Sequence, residues 1–162
     1  VVPGGSERQD SVRAGLDALG FGCEWVIVHD AARPLITCDL VQRGLHTVRR
    51  HRAAVAAVPV RDTLKRVHEQ AEGRLVRETV SRDRLWAAQT PQLFQQPVLR
   101  QAFQAAGRRA AQFTDDASLV EAMGWPVAVF EGASDNLKVT YPEDLPLVEA
   151  LLRARLDGNE RQ

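Results

Sequence analysis

The stretch Trp25-Val26-Ile27-Val28-His29-Asp30-Ala31-Ala32-Arg33-Pro34 decides the reading of the fold. An apolar run ends abruptly in polar groups, the pattern of a short buried strand with chemistry at its carboxyl end. In an open parallel sheet those ends border the ligand crevice, so an acid and a guanidinium there are positioned to meet a substrate. Asp30 suits a metal and Arg33 a phosphate. The same residues also suit a turn cap and a surface ion pair, and this stretch alone leaves both readings open.

Upstream, Val1-Val2-Pro3-Gly4-Gly5 reads as the end of a strand, without the charged leader and apolar core of a signal peptide, and suggests a truncated start. Ser6 is expected to cap a helix carrying Val12, Leu16 and Leu19, with Gly20 as its stop. Downstream, Thr37 caps a helix with Leu40, Val41, Leu45 and Val48 on one face, and the run from Ala53 to Val58 reads as a buried strand. Strand and helix alternate. That predicts an α/β fold with a parallel sheet.

Between Arg61 and Val80 the residues are mostly charged, with a turn at Glu72-Gly73 and an alternation Leu75, Arg77, Thr79 that predicts an exposed two-stranded β-arm. A lone hairpin is marginal in water, so the arm is expected to pack on a second subunit, a mobile surface loop being the alternative. Ala88 to Gln92 then returns the chain to the body. The last third predicts a helix with Val98, Leu99, Ala102 and Phe103, and a helix capped by Thr114 that stops near Gly124. Strands are predicted at Pro126 to Phe130 and at Leu137 to Thr140. Pro142 is placed in the first turn of a final helix bearing Leu145, Leu147, Val148, Leu151 and Leu152, with a polar, fraying tail from Asp157.

A length of 162 residues suits a single domain over 1–162, with the arm at about 60–90. Its 21 basic and 21 acidic residues cancel, which argues against the basic field of nucleic-acid binders, and no apolar run is long enough to cross a membrane. Cys23 and Cys38 show neither C-x-x-C spacing nor histidines at zinc-site intervals; small core residues in a reducing cytoplasm are the simple reading. Only Lys65 and Lys138 are lysines in an otherwise arginine-based chain. A lysine kept against that bias suits a compact ammonium approaching a phosphate.

Six motifs follow in order: Gly4-Gly5-Ser6-Glu7-Arg8-Gln9-Asp10-Ser11-Val12, His29 to Pro34, Pro59-Val60-Arg61-Asp62-Thr63-Leu64-Lys65-Arg66, Val80 to Phe94 with Thr90-Pro91-Gln92, Thr114-Asp115-Asp116-Ala117-Ser118, and Asp135-Asn136-Leu137-Lys138-Val139-Thr140. Together they resemble the 2-C-methyl-D-erythritol 4-phosphate cytidylyltransferases nearly end to end. Asp30-Ala31-Ala32-Arg33-Pro34 alone also admits the polyol-phosphate cytidylyltransferases acting on ribitol phosphate or a similar substrate. The segment Arg82 to Trp86, taken with Pro59 to Thr63, favours the methylerythritol enzymes.

The resemblance implies a Rossmann-like α/β fold, an open and mostly parallel sheet with flanking helices and a protruding β-arm. It also implies transfer of cytidylyl from CTP to the sugar-alcohol phosphate in non-mevalonate isoprenoid precursor synthesis, with magnesium and a homodimer joined through the β-arm. It assigns Gly5 and Ser11 to the cytosine pocket, Asp30 to magnesium and the nucleotide, and Ala31 and Arg33 to the substrate. Thr63 and Arg82 are assigned to the substrate pocket of the other subunit, Thr114 to the substrate, and Lys138 to the charge between nucleotide and attacking phosphate. Asp135 is a further candidate beside the metal or Lys138. The family's Pro-Ala-Ala-Gly-x-Gly-x-Arg loop and Pro-Lys-Gln segment have no counterpart here, and Gly4-Gly5 cannot replace them. The expectation is therefore the carboxyl-terminal two-thirds of such an enzyme, inactive as 162 residues alone. A non-catalytic dimerising module is the alternative from another class.

Overall fold

A computed structural model of the chain describes residues 1–20, 22–70 and 72–159. The strand that anchors the reading, β1 (Trp25–Val28), follows α1 (Arg8–Ala18) and precedes α2 (Cys38–His51) and β2 (Ala53–Pro59). Thr37 caps α2 as its sequence predicts, its hydroxyl oxygen accepting the Leu40 N–H at 3.2 Å. The arm is a hairpin of β3 (Leu64–Gln70) and β4 (Gly73–Val80). Next come β5 (Trp86–Gln95), α3 (Gln96–Ala106), a 3-10 turn (Gly107–Gln112), α4 (Asp116–Glu121), β6 (Ala128–Glu131) and α5 (Asp144–Asn159).

The main sheet has the order β1-β5-β2-β6. β5 pairs antiparallel with both β1 and β2, whereas β2 and β6 pair in parallel, so three strands share a direction and β5 runs against them. The residues that return the chain from the arm are thus the middle of the sheet. Its two faces bury separate clusters. Leu16, Phe94, Leu99, Phe103 and Leu119 pack under α1, α3 and α4; Leu40, Val48, Ala54, Leu93 and Phe130 pack under α2. Gly44 lets α2 lie close to the sheet, because a Cβ there would meet Leu93 Cδ1 at 2.4 Å and Phe130 Cζ at 2.9 Å.

The hairpin stands apart from this core. Val67, Leu75 and Val76 are 46, 52 and 58% exposed, and ion pairs such as Arg66 to Glu78 at 2.6 Å run along it. Gly73 adopts φ 131° at the turn, which favours glycine.

Four local expectations are corrected. The cap of α1 is Glu7 and not Ser6: the Asp10 carboxylate accepts both the Ser6 hydroxyl at 3.2 Å and the Glu7 N–H at 3.4 Å, which starts the helix one residue later. The cap of α4 is Asp115 and not Thr114, its carboxylate accepting the Ser118 N–H at 2.9 Å. Leu137 to Thr140 is no strand; Val139 N–H donates to the Ala32 carbonyl at 2.8 Å, so the segment is tied to the loop after β1 and not to a strand edge. Pro142 lies in a turn before α5, where the Asp144 carboxylate accepts the N–H groups of Thr140 and Tyr141 at 2.8 and 2.9 Å. The tail from Asp157 is helical to Asn159, and residues 160–162 lie outside the described residues.

Candidate active site

β1 ends at Val28 and delivers His29 and Asp30 to the edge of the sheet. Asp30 N–H donates to Thr90 Oγ1 at 3.0 Å, and Thr90 Oγ1 lies 3.0 Å from His29 Nδ1, while His29 Nε2 lies 3.0 Å from the Arg33 carbonyl. A carbonyl only accepts, so Nε2 carries the proton and, in the neutral ring, Nδ1 accepts the Thr90 hydroxyl. This chain of bonds ties the loop after β1 to β5. Arg33 Nη1 donates to the carbonyl of Asn136 at 2.8 Å, and buried Asn136 donates from Nδ2 to the Thr90 carbonyl at 2.8 Å. Gln89 Nε2 donates to the Ala133 carbonyl at 3.0 Å, so β5 also anchors the segment that carries Lys138.

Lys138 Nζ consequently lies 2.9 Å from Asp30 Oδ2. Arg8 approaches from α1, with Nε 3.5 Å from Asp30 Oδ1 and Nη2 2.8 Å from Asp116 Oδ2. The contact to Asp116 is an ion contact without the alignment of a good hydrogen bond, so neither oxygen of this fully buried carboxylate has an aligned donor. A cleft of about 250 Å³ is lined by Arg8, Asp30, Arg33, Thr90, Thr114 and Lys138, among others. Burial alone would push the Asp30 carboxyl up, but Lys138 and Arg8 outweigh it and hold it below the usual range. Burial pushes Asp116 up, and Arg8 opposes this only in part. Burial lowers the Arg33 guanidinium against the pull of Asp30.

Of the residues singled out in the sequence, Asp30, Arg33, Thr114 and Lys138 meet in this cleft. Ala31 follows Asp30 in an exposed turn. Gly5 N–H donates to Ser11 Oγ at 3.0 Å, and a Cβ on Gly5 would meet Asp10 Cβ at 2.2 Å, so this pair shapes the start of the helix that supplies Arg8. Thr63 and Arg82 are exposed at the root of the hairpin, away from the residues lining the cleft, with Arg82 donating to the Arg61 carbonyl. Asp135 is paired with Arg155 at 2.7 Å and does not line the cleft. Arg8, Thr90 and Asn136 are the residues that sequence reasoning missed. Each sits inside a quoted motif, but a helix-surface arginine, a strand threonine and a loop asparagine carry no signal of convergence.

Among the described residues no group of three His, Cys, Asp or Glu side chains could cage a metal. Magnesium does not need one. It keeps waters and takes one or two carboxylates together with substrate phosphates. Asp30, 18% exposed and lining the cleft, fits that role with its oxygens shared between the ion and its neighbours Lys138 and Arg8. The oxygens of Asp115 are taken by Ser118 N–H and Gln92 Nε2, and Asp135 is held by Arg155.

These features define an α/β protein with a cation-rich cleft around Asp30 at the edge of its sheet, suited to phosphorylated ligands. The family model IspD, 2-C-methyl-D-erythritol 4-phosphate cytidylyltransferase, matches residues 1–154, and the chain belongs to that family. The cytidylyltransferase of Alkaliphilus metalliredigens is 46% identical over 160 residues, covering 99% of this chain and 65% of that protein. That of Halalkalibacterium halodurans is 48% identical over 152 residues, covering 94% and 64%. The crystal structure of the Thermus thermophilus enzyme superposes with a TM-score of 0.83 at 41% identity, covering 94% of this chain and 72% of that one. The chain thus spans a little under two-thirds of the length of these curated relatives.

Proposed function

We propose that this protein transfers the cytidylyl group of CTP to 2-C-methyl-D-erythritol 4-phosphate, releasing pyrophosphate and giving 4-diphosphocytidyl-2-C-methyl-D-erythritol in isoprenoid precursor synthesis. The observation that carries the reading is the Asp30–Lys138 pair, set beside Arg33 and Thr114 in one cleft. A phosphomonoester oxygen attacks the α-phosphorus; a new P–O bond forms and the bond to the β-phosphate oxygen breaks. Two anions must be brought together, so cations and positioning carry the catalysis and no covalent protein nucleophile is needed.

Lys138 neutralises charge between the nucleotide and the attacking phosphate, Asp30 fixes the direction of its ammonium, and Arg33 and Thr114 hold the sugar phosphate. Gly5 and Ser11 face the cytosine, and Ala31 offers its backbone to the substrate. Asp30 would hold magnesium together with phosphate oxygens, and the ion would supply further charge neutralisation. The exposed apolar side chains of the hairpin, Val67, Leu75 and Val76, support a homodimer in which Thr63 and Arg82 serve the neighbouring subunit's cleft. The free thiols of Cys23 and Cys38 suit the cytoplasm, and among the described residues no helix is long and apolar enough to cross a membrane.

The test is pyrophosphate release with CTP and either methylerythritol phosphate or ribitol phosphate, in protein that also carries the family's glycine-rich loop and Pro-Lys-Gln segment. Turnover with the former and little with the latter is expected. Preference for ribitol phosphate would make the protein a polyol-phosphate enzyme, and dimerisation without turnover of either would make it a non-catalytic dimerising module.

A further inference from the structure

We propose that Arg8 is a positioning residue of this cleft, locking Asp30 to the buried Asp116 so that Lys138 is presented to the substrate phosphate. The proposal rests on the cytidylyl-transfer reading and deepens it. Arg8 stands at the first position of α1 and reaches two carboxylates from two other parts of the fold, Asp30 Oδ1 at 3.5 Å and Asp116 Oδ2 at 2.8 Å. Lys138 takes the other oxygen of Asp30 at 2.9 Å. The Asp30 carboxylate is therefore held on both sides. Rotation about its Cβ–Cγ bond, once Arg8 is gone, carries the partner of Lys138 with it.

Asp116 is a fixed anchor. It is wholly buried in the first turn of α4. That turn is riveted to β5 through Gln92, whose Nε2 donates to Asp115 Oδ2 at 2.7 Å and whose Oε1 accepts the Ala117 N–H at 3.0 Å. A buried carboxylate is tolerated when it is paired, and Arg8 is the only ion-pair partner of Asp116 among the described residues. The pairing puts the cost of burying Asp116 to use as a mount for Arg8. Arg8 meets the two carboxylates with separate nitrogens of a rigid planar fork, Nε toward Asp30 and Nη2 toward Asp116, a geometry that the single nitrogen of a flexible ammonium does not reproduce. His29 and Arg33 are engaged with the Arg33 and Asn136 carbonyls, which leaves Arg8 and Lys138 to hold Asp30.

The test, on protein that also carries the family's glycine-rich loop and Pro-Lys-Gln segment, combines kinetics with a signal from Lys138 itself. Arg8→Ala is expected to lower kcat by about 10- to 100-fold, the scale for losing an outer-shell support, with KM for CTP little changed. Arg8→Lys should recover only part of the loss. Asp116→Asn should also slow turnover, and the double variant should be no slower than Arg8→Ala, because the two residues act as one unit. In protein labelled with [13Cε]lysine, the Lys138 resonance, assigned by its disappearance in Lys138→Arg, should move in Arg8→Ala toward that of a free surface lysine. An unmoved Lys138 resonance in folded Arg8→Ala overturns the proposal, as do additive effects of Arg8→Ala and Asp116→Asn. If the wild-type protein shows no turnover, the cytidylyl-transfer reading fails, and the Lys138 resonance alone decides whether Arg8 positions the pair.

Discussion

Lys138 and Asp30, from opposite ends of the chain, meet with Nζ 2.9 Å from Oδ2. Asp30 lies at the end of β1 and Lys138 in the segment after β6, yet β1 and β6 are opposite edges of the sheet. The contact is made by the chain crossing back over the loop after β1, where Val139 N–H bonds the Ala32 carbonyl at 2.8 Å. A compact ammonium held this way is half exposed and faces a cleft able to receive phosphate.

Replacing that ammonium, in protein that also carries the family's glycine-rich loop, should therefore cost rate. Lys138→Ala is expected to lower cytidylyl transfer by roughly 10²-fold or more, the scale for losing one electrostatic stabiliser. Lys138→Arg should rescue incompletely, since a planar fork replaces a point charge. Steady-state pyrophosphate release checks both; an unimpaired Ala variant would make Lys138 a surface charge.

Asp30→Asn removes the carboxylate best placed for magnesium. Half-saturation in a magnesium titration of activity should rise, and manganese binding followed by electron paramagnetic resonance in the presence of CTP should weaken. A titration unchanged from wild type would take Asp30 out of the metal site.

If Arg82 serves the neighbouring cleft, defects on different subunits should complement. Mixing Arg82→Ala chains with Lys138→Ala chains, both also carrying the family's glycine-rich loop, puts both defects into one composite site and leaves the other whole. Each parent should be nearly inactive. The heterodimer should recover up to about half of wild-type activity per dimer, assuming independent sites. With subunit exchange verified, a mixture as inactive as its parents would show that Arg82 acts within its own chain.

Gly44→Ala should destabilise the fold without touching the cleft. Its Cβ would collide with Leu93 and Phe130, both in the core beneath α2. Overpacking of this kind costs about 1–3 kcal/mol, measurable by urea denaturation. An unchanged midpoint would mean that α2 can lift from the sheet freely.

Asp144 offers a pH signature. Bonds from Tyr141 and Thr140 N–H hold its carboxyl below the usual aspartate range. A depressed pKa in the folded state adds stability above the unfolded value, and that contribution is lost as pH falls through the folded value. The difference in Tm between wild type and Asp144→Asn should be full near neutrality and shrink in acid below the ordinary aspartate range. An equal difference at both pH extremes would mean that the bonds do not depend on the charge.

The sequence by itself determined the pieces that depend on neighbours along the chain. The apolar run of β1 broken at His29, the Thr37 cap of α2, the alanine-rich β2 and the turn at Gly73 are all local patterns of period, cap or φ, and each forms where it was read. Asp30 and Arg33 are legible as the polar end of a buried strand and Lys138 as a lysine kept against an arginine bias, whereas Thr114 reads along the chain as a helix cap and enters the site through the family resemblance. Tertiary structure decided the rest. The central place of β5, reversed between β1 and β2, comes from long-range pairing that no local period encodes. Ser6 and Thr114 lost their caps because the neighbouring carboxylates of Asp10 and Asp115 took the backbone N–H groups. Arg8, read along the chain, is one more cation on a helix; only its closeness to Asp30 and to the buried Asp116 makes it part of the site, since charge acts through space and not along the sequence.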